Sequence, residues 1–147
     1  MVWRNYNRNW GNSVMEFRSC VKILNEWDIV AVRQLGRNVA KELNFGIVDQ
    51  ARITTAISEL ARNIFLYAGQ GQICIEKIFK DGKSGVKIIA EDNGPGIQDV
   101  RKVMEDGFST SGGLGAGLPG VKRLMDDFDI DSKPNEGTTI IVTKWLR

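Results

Sequence analysis

Two strand-like pairs, each closed by a tight turn, limit the folds open to this chain. Residues 72–79 and 86–92 flank Asp81-Gly82-Lys83-Ser84-Gly85, and residues 128–133 and 138–145 flank Pro134-Asn135-Glu136-Gly137. Such turn residues between apolar-rich runs mark β-hairpins. A hairpin joins antiparallel neighbours, whereas parallel neighbours need a long crossover. Helical spacing occurs elsewhere. Asp28 caps a helix with Ile29, Val32, Leu35, Val39 and Leu43 on one face, broken at Gly46. Asp49 opens a second helix to about Tyr67, with Ile53, Ile57, Leu60 and Ile64 as its buried stripe, ended by Gly69 and Gly71. A strand at Ser19–Leu24, a short helix at Asp99–Glu105 and a helix at Leu118–Asp127 complete the order β-α-α-β-β-α-loop-α-β-β. The expected fold is an α+β two-layer sandwich, with a mixed, mostly antiparallel sheet and helices on one face.

With 147 residues, 42% of them hydrophobic, the chain can bury one core. Residues 18–147 are read as that domain and 1–17 as an N-terminal tail, disordered or non-native. Residues 1–14 are rich in Asn, Arg and Trp and follow no period, so Met15 is a candidate true start; docking of this stretch on a partner is the alternative. A net charge of +2, from 20 basic and 18 acidic residues, gives no case for nucleic acid or an anionic membrane. No apolar run is long enough to span a bilayer and no signal peptide is visible, so the expected location is cytoplasmic. Cys20 and Cys74 are read as unpaired small core residues in a reducing compartment. The chain has no histidine. That excludes Ser-His-Asp and Cys-His catalysis, imidazole zinc sites and phosphorylation of this chain on histidine.

The chemistry-bearing residues fall in a fixed order. Glu59 and Asn63 lie four apart on the second helix, beside the buried Leu60 and Ile64. An amide oxygen suits a magnesium ion that also holds phosphates, and a carboxylate suits a base for a hydroxyl. An ordinary exposed helix pair is the plainer reading of both. Asp92 closes a strand on the face of Val86, Ile88 and Ala90, so it should point inward, toward a donor such as an adenine amine or toward the next turn. Gly94 and Gly96 flank Pro95 in a turn that holds backbone close to something. Gly113, Gly115 and Gly117 follow Ser109-Thr110-Ser111 and lead into a helix, where backbone N–H groups can converge on phosphate. Gly115-Ala116-Gly117-Leu118-Pro119-Gly120 matches the dinucleotide-binding pattern, but no strand precedes it in a βαβ unit.

Glu59-x-x-x-Asn63, Asp92-x-Gly94-x-Gly96, Gly113-x-Gly115-x-Gly117 and Gly137-Thr138, in this order, resemble the GHKL ATPase superfamily with its Bergerat fold. The resemblance covers nearly all of residues 20–147. It implies that Asn63 holds magnesium, Asp92 contacts adenine with Thr138 assisting, and the glycines of 113–117 lie over the phosphates of ATP. Length and the missing histidine favour the small stand-alone serine/threonine kinases of the anti-sigma type. Glu26-Trp27-Asp28-Ile29-Val30-Ala31, Ser58-Glu59-Leu60-Ala61-Arg62-Asn63 and Glu105-Asp106-Gly107-Phe108-Ser109-Thr110-Ser111-Gly112-Gly113 are similar, more narrowly, to the switch kinases of bacterial stressosomes. That likeness implies phosphorylation of STAS-domain partners of the RsbS and RsbR kind, with Glu59 as base. It also implies release to activate a downstream effector, an RsbU-like phosphatase in bacilli. The other reading is a nucleotide-gated binding module with little catalytic role.

Overall fold

The structure, a computed structural model, describes residues 2–4, 13–105 and 117–147. In chain order the elements are β1 (Val2–Arg4), β2 (Val14–Ile23), α1 (Glu26–Glu42), α2 (Ile47–Asn63), β3 (Gly71–Lys80), β4 (Lys83–Asp92), α3 (Val100–Val103), α4 (Gly117–Leu124), β5 (Asp127–Lys133) and β6 (Gly137–Trp145). The six strands form one sheet in the order β1-β5-β6-β4-β3-β2. Every described pairing is antiparallel, so the mixed component expected from the sequence is absent among the described residues. The reason is topological. Two helices between β2 and β3 return the chain to run opposite to β2. β4 and β5 do point the same way, but β6 lies between them.

Local chemistry sets the element ends. The α1 cap is Asn25 rather than Asp28: Asn25 Oδ1 accepts the Trp27 N–H at 2.9 Å, and the Asp28 carboxylate accepts the Asn25 N–H at 3.1 Å. α2 starts two residues before Asp49, with Gly46 as a cap lacking a side chain, and continues into a π-helical turn over Ile64–Ala68. The β3–β4 hairpin turns in only two residues, because Asp81 (φ 52°) and Gly82 (φ 77°) both adopt left-handed backbone. β2 reaches back to Val14, so residues 14–17, expected in the tail, belong to a strand that pairs with β3. Val14, Met15 and Phe17 are all exposed there, and a bulge between Met15 and Phe17 breaks the register, so no alternation marks the strand. Val2–Arg4 pair with β5 at the opposite edge.

The core lies between the helices and one sheet face. Val32 and Val39 of α1, with Ile53, Ile57 and Leu60 of α2, pack on Ile73, Ile75, Val86, Ile88, Ile140 and Val142. Gly36 lets the two helices close: a β-carbon there would overlap Ile57 Cδ1 and lie 3.5 Å from Ile75 Cδ1. Cys20 and Cys74 correct the expectation of free core thiols. They are register partners on β2 and β3, Cys20 is exposed, and a disulfide joins them. Their separation of 54 residues concealed this, since only the strand register brings them opposite. No helix among the described residues is long and apolar enough to cross a membrane.

Candidate nucleotide site

A cavity of about 260 Å³ opens between α2, the π turn, the ends of β4 and β6, and the start of α4. Leu60, Ile64, Ala90, Ile97, Leu118 and Ile140 give it apolar walls. Its polar groups come from Asn63, Asp92, Gln98 and Thr138. An apolar slot with a few convergent polar groups suits a flat heterocycle.

Five residues singled out in the sequence meet here: Asn63, Asp92, Gly96, Gly117 and Thr138. Asp92 and Thr138 are register partners at the ends of β4 and β6. The strand alternation that placed both on the apolar face holds, since Thr138 is buried with Ile140 and Val142. Asp92 Oδ1 accepts the Gly94 N–H at 2.9 Å. Burial pushes the Asp92 carboxyl above its ordinary value, and backbone hydrogen bonds from Gly94 and Thr138 draw it partway back.

Gly94 and Gly96 hold backbone against protein. A β-carbon on Gly94 would sit 2.6 Å from Ala68 Cβ. One on Gly96, at φ 74°, would overlap the Lys133 carbonyl oxygen. The turn is pinned to the β5–β6 hairpin by Asn135 N–H donating to Pro95 O at 2.6 Å. Gly94 therefore shapes the site without lining the cavity. Gly117 starts α4 at φ 70° and does line it. Gly113 and Gly115, with Ser109, Thr110 and Ser111, lie outside the described residues.

Glu59 is placed differently. It is 1% exposed, and its Oε1 accepts from Arg62 Nη1 at 2.8 Å. It lines a separate groove between α1 and α2 and is not among the cavity-lining residues, although only one helical turn separates it from Asn63, which is. Asn63 faces the cavity, and its Oδ1 is buried with no hydrogen-bond partner among the described residues. An orphaned buried acceptor costs about 1–3 kcal/mol. A hard cation shared with substrate phosphates would satisfy it, so the donor chemistry fits magnesium.

Ser132 was missed by sequence reasoning. Its Oγ accepts the Ile97 N–H at 2.8 Å, reaches the Gly137 carbonyl at 3.2 Å and lies 2.7 Å from Thr138 Oγ1. A serine has one proton. When it goes to Gly137, Thr138 donates to Ser132 and keeps its lone pairs for a donor in the cavity. The available signal was a polar residue on the apolar face set by Phe128 and Ile130.

Relatives fit this geometry. The histidine kinase-, DNA gyrase B- and HSP90-like ATPase family matches residues 48–147. Serine/threonine-protein kinase RsbT of Bacillus subtilis strain 168 is 75% identical over 133 residues, 90% of this chain and 100% of that protein. An anti-sigma F factor of Caldanaerobacter subterraneus subsp. tengcongensis is 31% identical over 141 residues, covering 92% of this chain and 95% of that protein. The solved mycobacterial sensor histidine kinase MprB superposes with a TM-score of 0.53 at 18% identity, covering 89% of this chain and 99% of that one, a likeness of fold. The chain belongs to the histidine kinase-, DNA gyrase B- and HSP90-like ATPase family and, within it, to the ATP-dependent serine/threonine-protein kinases related to RsbT.

Proposed function

We propose that the chain transfers the γ-phosphoryl group of ATP to a serine or threonine of a STAS-domain protein of the RsbS or RsbR kind. Once released from that protein, it binds and activates a downstream effector, an RsbU-like phosphatase or its equivalent. The observation that carries the reading is the cavity itself. It joins a half-buried carboxylate, a buried hydroxyl and an orphaned amide oxygen in a chain 75% identical to a serine/threonine-protein kinase.

In this reading Asp92 accepts the adenine exocyclic amine, and Thr138, fixed by Ser132, assists. Asn63 would hold magnesium, which when bound would neutralise phosphate charge. Gly113, Gly115 and Gly117 would contribute backbone N–H groups to the phosphates. The acceptor hydroxyl oxygen attacks the γ-phosphorus, the bond to the ADP oxygen breaks, and the hydroxyl proton passes to Glu59. Such transfer depends chiefly on positioning and charge. Because another protein brings the acceptor, the isolated chain should hydrolyse ATP slowly.

One observation favours the second reading, a nucleotide-gated binding module. Glu59 is clasped by Arg62 and stands apart from the cavity lining. Incubation with Mg-ATP and a purified STAS protein, followed by intact mass, tests the reaction class. One added phosphate on the partner and none on this chain is the kinase result. Glu59→Gln should abolish transfer while ATP binding persists. Transfer by that variant at the wild-type rate would remove Glu59 from the mechanism.

A further inference from the structure

The groove between α1 and α2 has a volume of about 480 Å³ and carries an uneven charge. Arg33 and Arg37 approach from α1, while Ser58, Glu59 and Arg62 approach from α2. The single carboxylate is already matched by Arg62 at 2.8 Å. Arg33 is half-buried and Arg37 exposed, and neither makes an ion pair or a side-chain hydrogen bond among the described residues. Two guanidinium groups four residues apart on one helix, one of them partly desolvated, form a cationic strip without a counter-charge. The whole chain is nearly balanced at +2, so this excess is local.

The strip continues into an apolar end. Trp27 is 80% exposed and Val30 46% exposed, at helical spacing from Arg33, Gln34 and Arg37. A large aromatic left in water beside a charged groove is a common anchor at protein interfaces. α1 and α2 are joined by a short connection, so they run antiparallel and the α1 start lies beside the α2 end. That end carries Arg62, and the next residue, Asn63, belongs to the nucleotide cavity.

We propose that this groove receives an acidic stretch of the protein substrate. Arg33 and Arg37 pair with its carboxylates, and Trp27 with Val30 seats an apolar side chain at its end. The groove then leads the acceptor toward Glu59. The inference rests on the protein-kinase reading above and names the chemistry of its substrate surface. Arginine pairs carboxylates bidentately, which fixes the direction of an incoming segment as well as attracting it.

The test uses the full chain, Mg-ATP and a purified STAS-domain substrate, with initial rates from intact mass. Arg33→Glu/Arg37→Glu should raise KM for the protein substrate by about tenfold or more, with kcat and the Kd for ATP unchanged. The wild-type KM should rise with salt from about 50 to about 300 mM, and that of the variant should stay flat. Arg33→Gln/Arg37→Gln serves if the reversal fails to fold, with a smaller rise in KM. Trp27→Ala should also raise KM. An unchanged KM in the arginine variants, with wild-type transfer intact, overturns the groove and leaves the kinase reading standing. A parallel loss of ATP affinity would assign the arginines to the fold and overturns it too. Absence of wild-type transfer overturns the kinase reading and this inference together.

Discussion

Replacing Asp92 with asparagine should move stability and function in opposite directions. The carboxylate stands half-buried at the end of β4 and accepts the Gly94 N–H at 2.9 Å. Burial is the larger influence and raises its pKa above the ordinary 3.8. A carboxyl with a raised folded-state pKa adds stability when protonated, below the unfolded value, and that contribution is lost as pH rises through the folded value. At neutral pH the charged form is therefore a burden on the nucleotide-free fold. Asparagine removes the charge yet keeps an oxygen for the Gly94 N–H, so the nucleotide-free Tm should rise at pH 7. The gain should shrink as pH falls through the raised folded value and vanish below the ordinary 3.8, where the wild-type carboxyl is protonated in both states. ATP binding should suffer. A hydrogen bond from the adenine amine to a carboxylate is worth about 1.5–3 kcal/mol, which is about a 10- to 150-fold rise in Kd. Wild-type affinity should likewise weaken as pH falls through the raised pKa. Differential scanning calorimetry without nucleotide and titration calorimetry with ATP read the two halves. An Asp92→Asn protein with a lower Tm and an unchanged Kd for ATP would refute both.

Two further outcomes follow from the geometry. Asn63→Ala removes the orphaned Oδ1, so nucleotide-free stability should not fall, while the magnesium dependence of ATP binding should shrink; binding with and without the ion measures it. Gly36→Ala gains about 1 kcal/mol of helix propensity but overpacks Ile57 Cδ1 at a cost of about 1–3 kcal/mol, for a net loss of about 0–2 kcal/mol by urea denaturation. Ile57→Val removes that methyl, so the double variant should be more stable than the sum of the single losses by about 1–2 kcal/mol.

How much could be read in the sequence depended on how local each signal was. The hairpins were legible because Asp81-Gly82 and Asn135 with Gly137 supply the positive φ that tight turns demand. The faces of β4 and β6 were legible because alternation put Asp92 and Thr138 with the apolar residues, and their register then joined them. Features set by register between distant segments were not. The Cys20–Cys74 link, the reach of β2 back to Val14 and the place of β6 between β4 and β5 all depend on which strands pair. Ser132 escaped for a related reason: its partners Ile97 and Thr138 come from other segments. Gly94 and Gly96 were flagged for close approach, and only the fold names Ala68 and Lys133 as what they approach.

The pair that the sequence put on one helix face lines two adjoining surfaces because a face has width. Residues four apart differ by about 40° around the axis and about 6 Å along it. At the rim of a buried stripe that is enough to part them. Leu60, between them in sequence, faces the core and the nucleotide cavity. Asn63 lies between Glu59 and Leu60 around the axis and joins Leu60 in the cavity, while Glu59 meets Arg62 in the groove. This rim of α2 thus carries an amide on the cavity and a carboxylate on the adjoining groove. A neutral amide can hold a cation beside phosphates without repelling them. A carboxylate one turn away, its charge offset by Arg62, can meet an acceptor hydroxyl that arrives along the groove. On the proposed mechanism, exchanging the two residue types would set the negative charge against ATP and leave the groove without a base. In that mechanism the spacing matters as much as either residue.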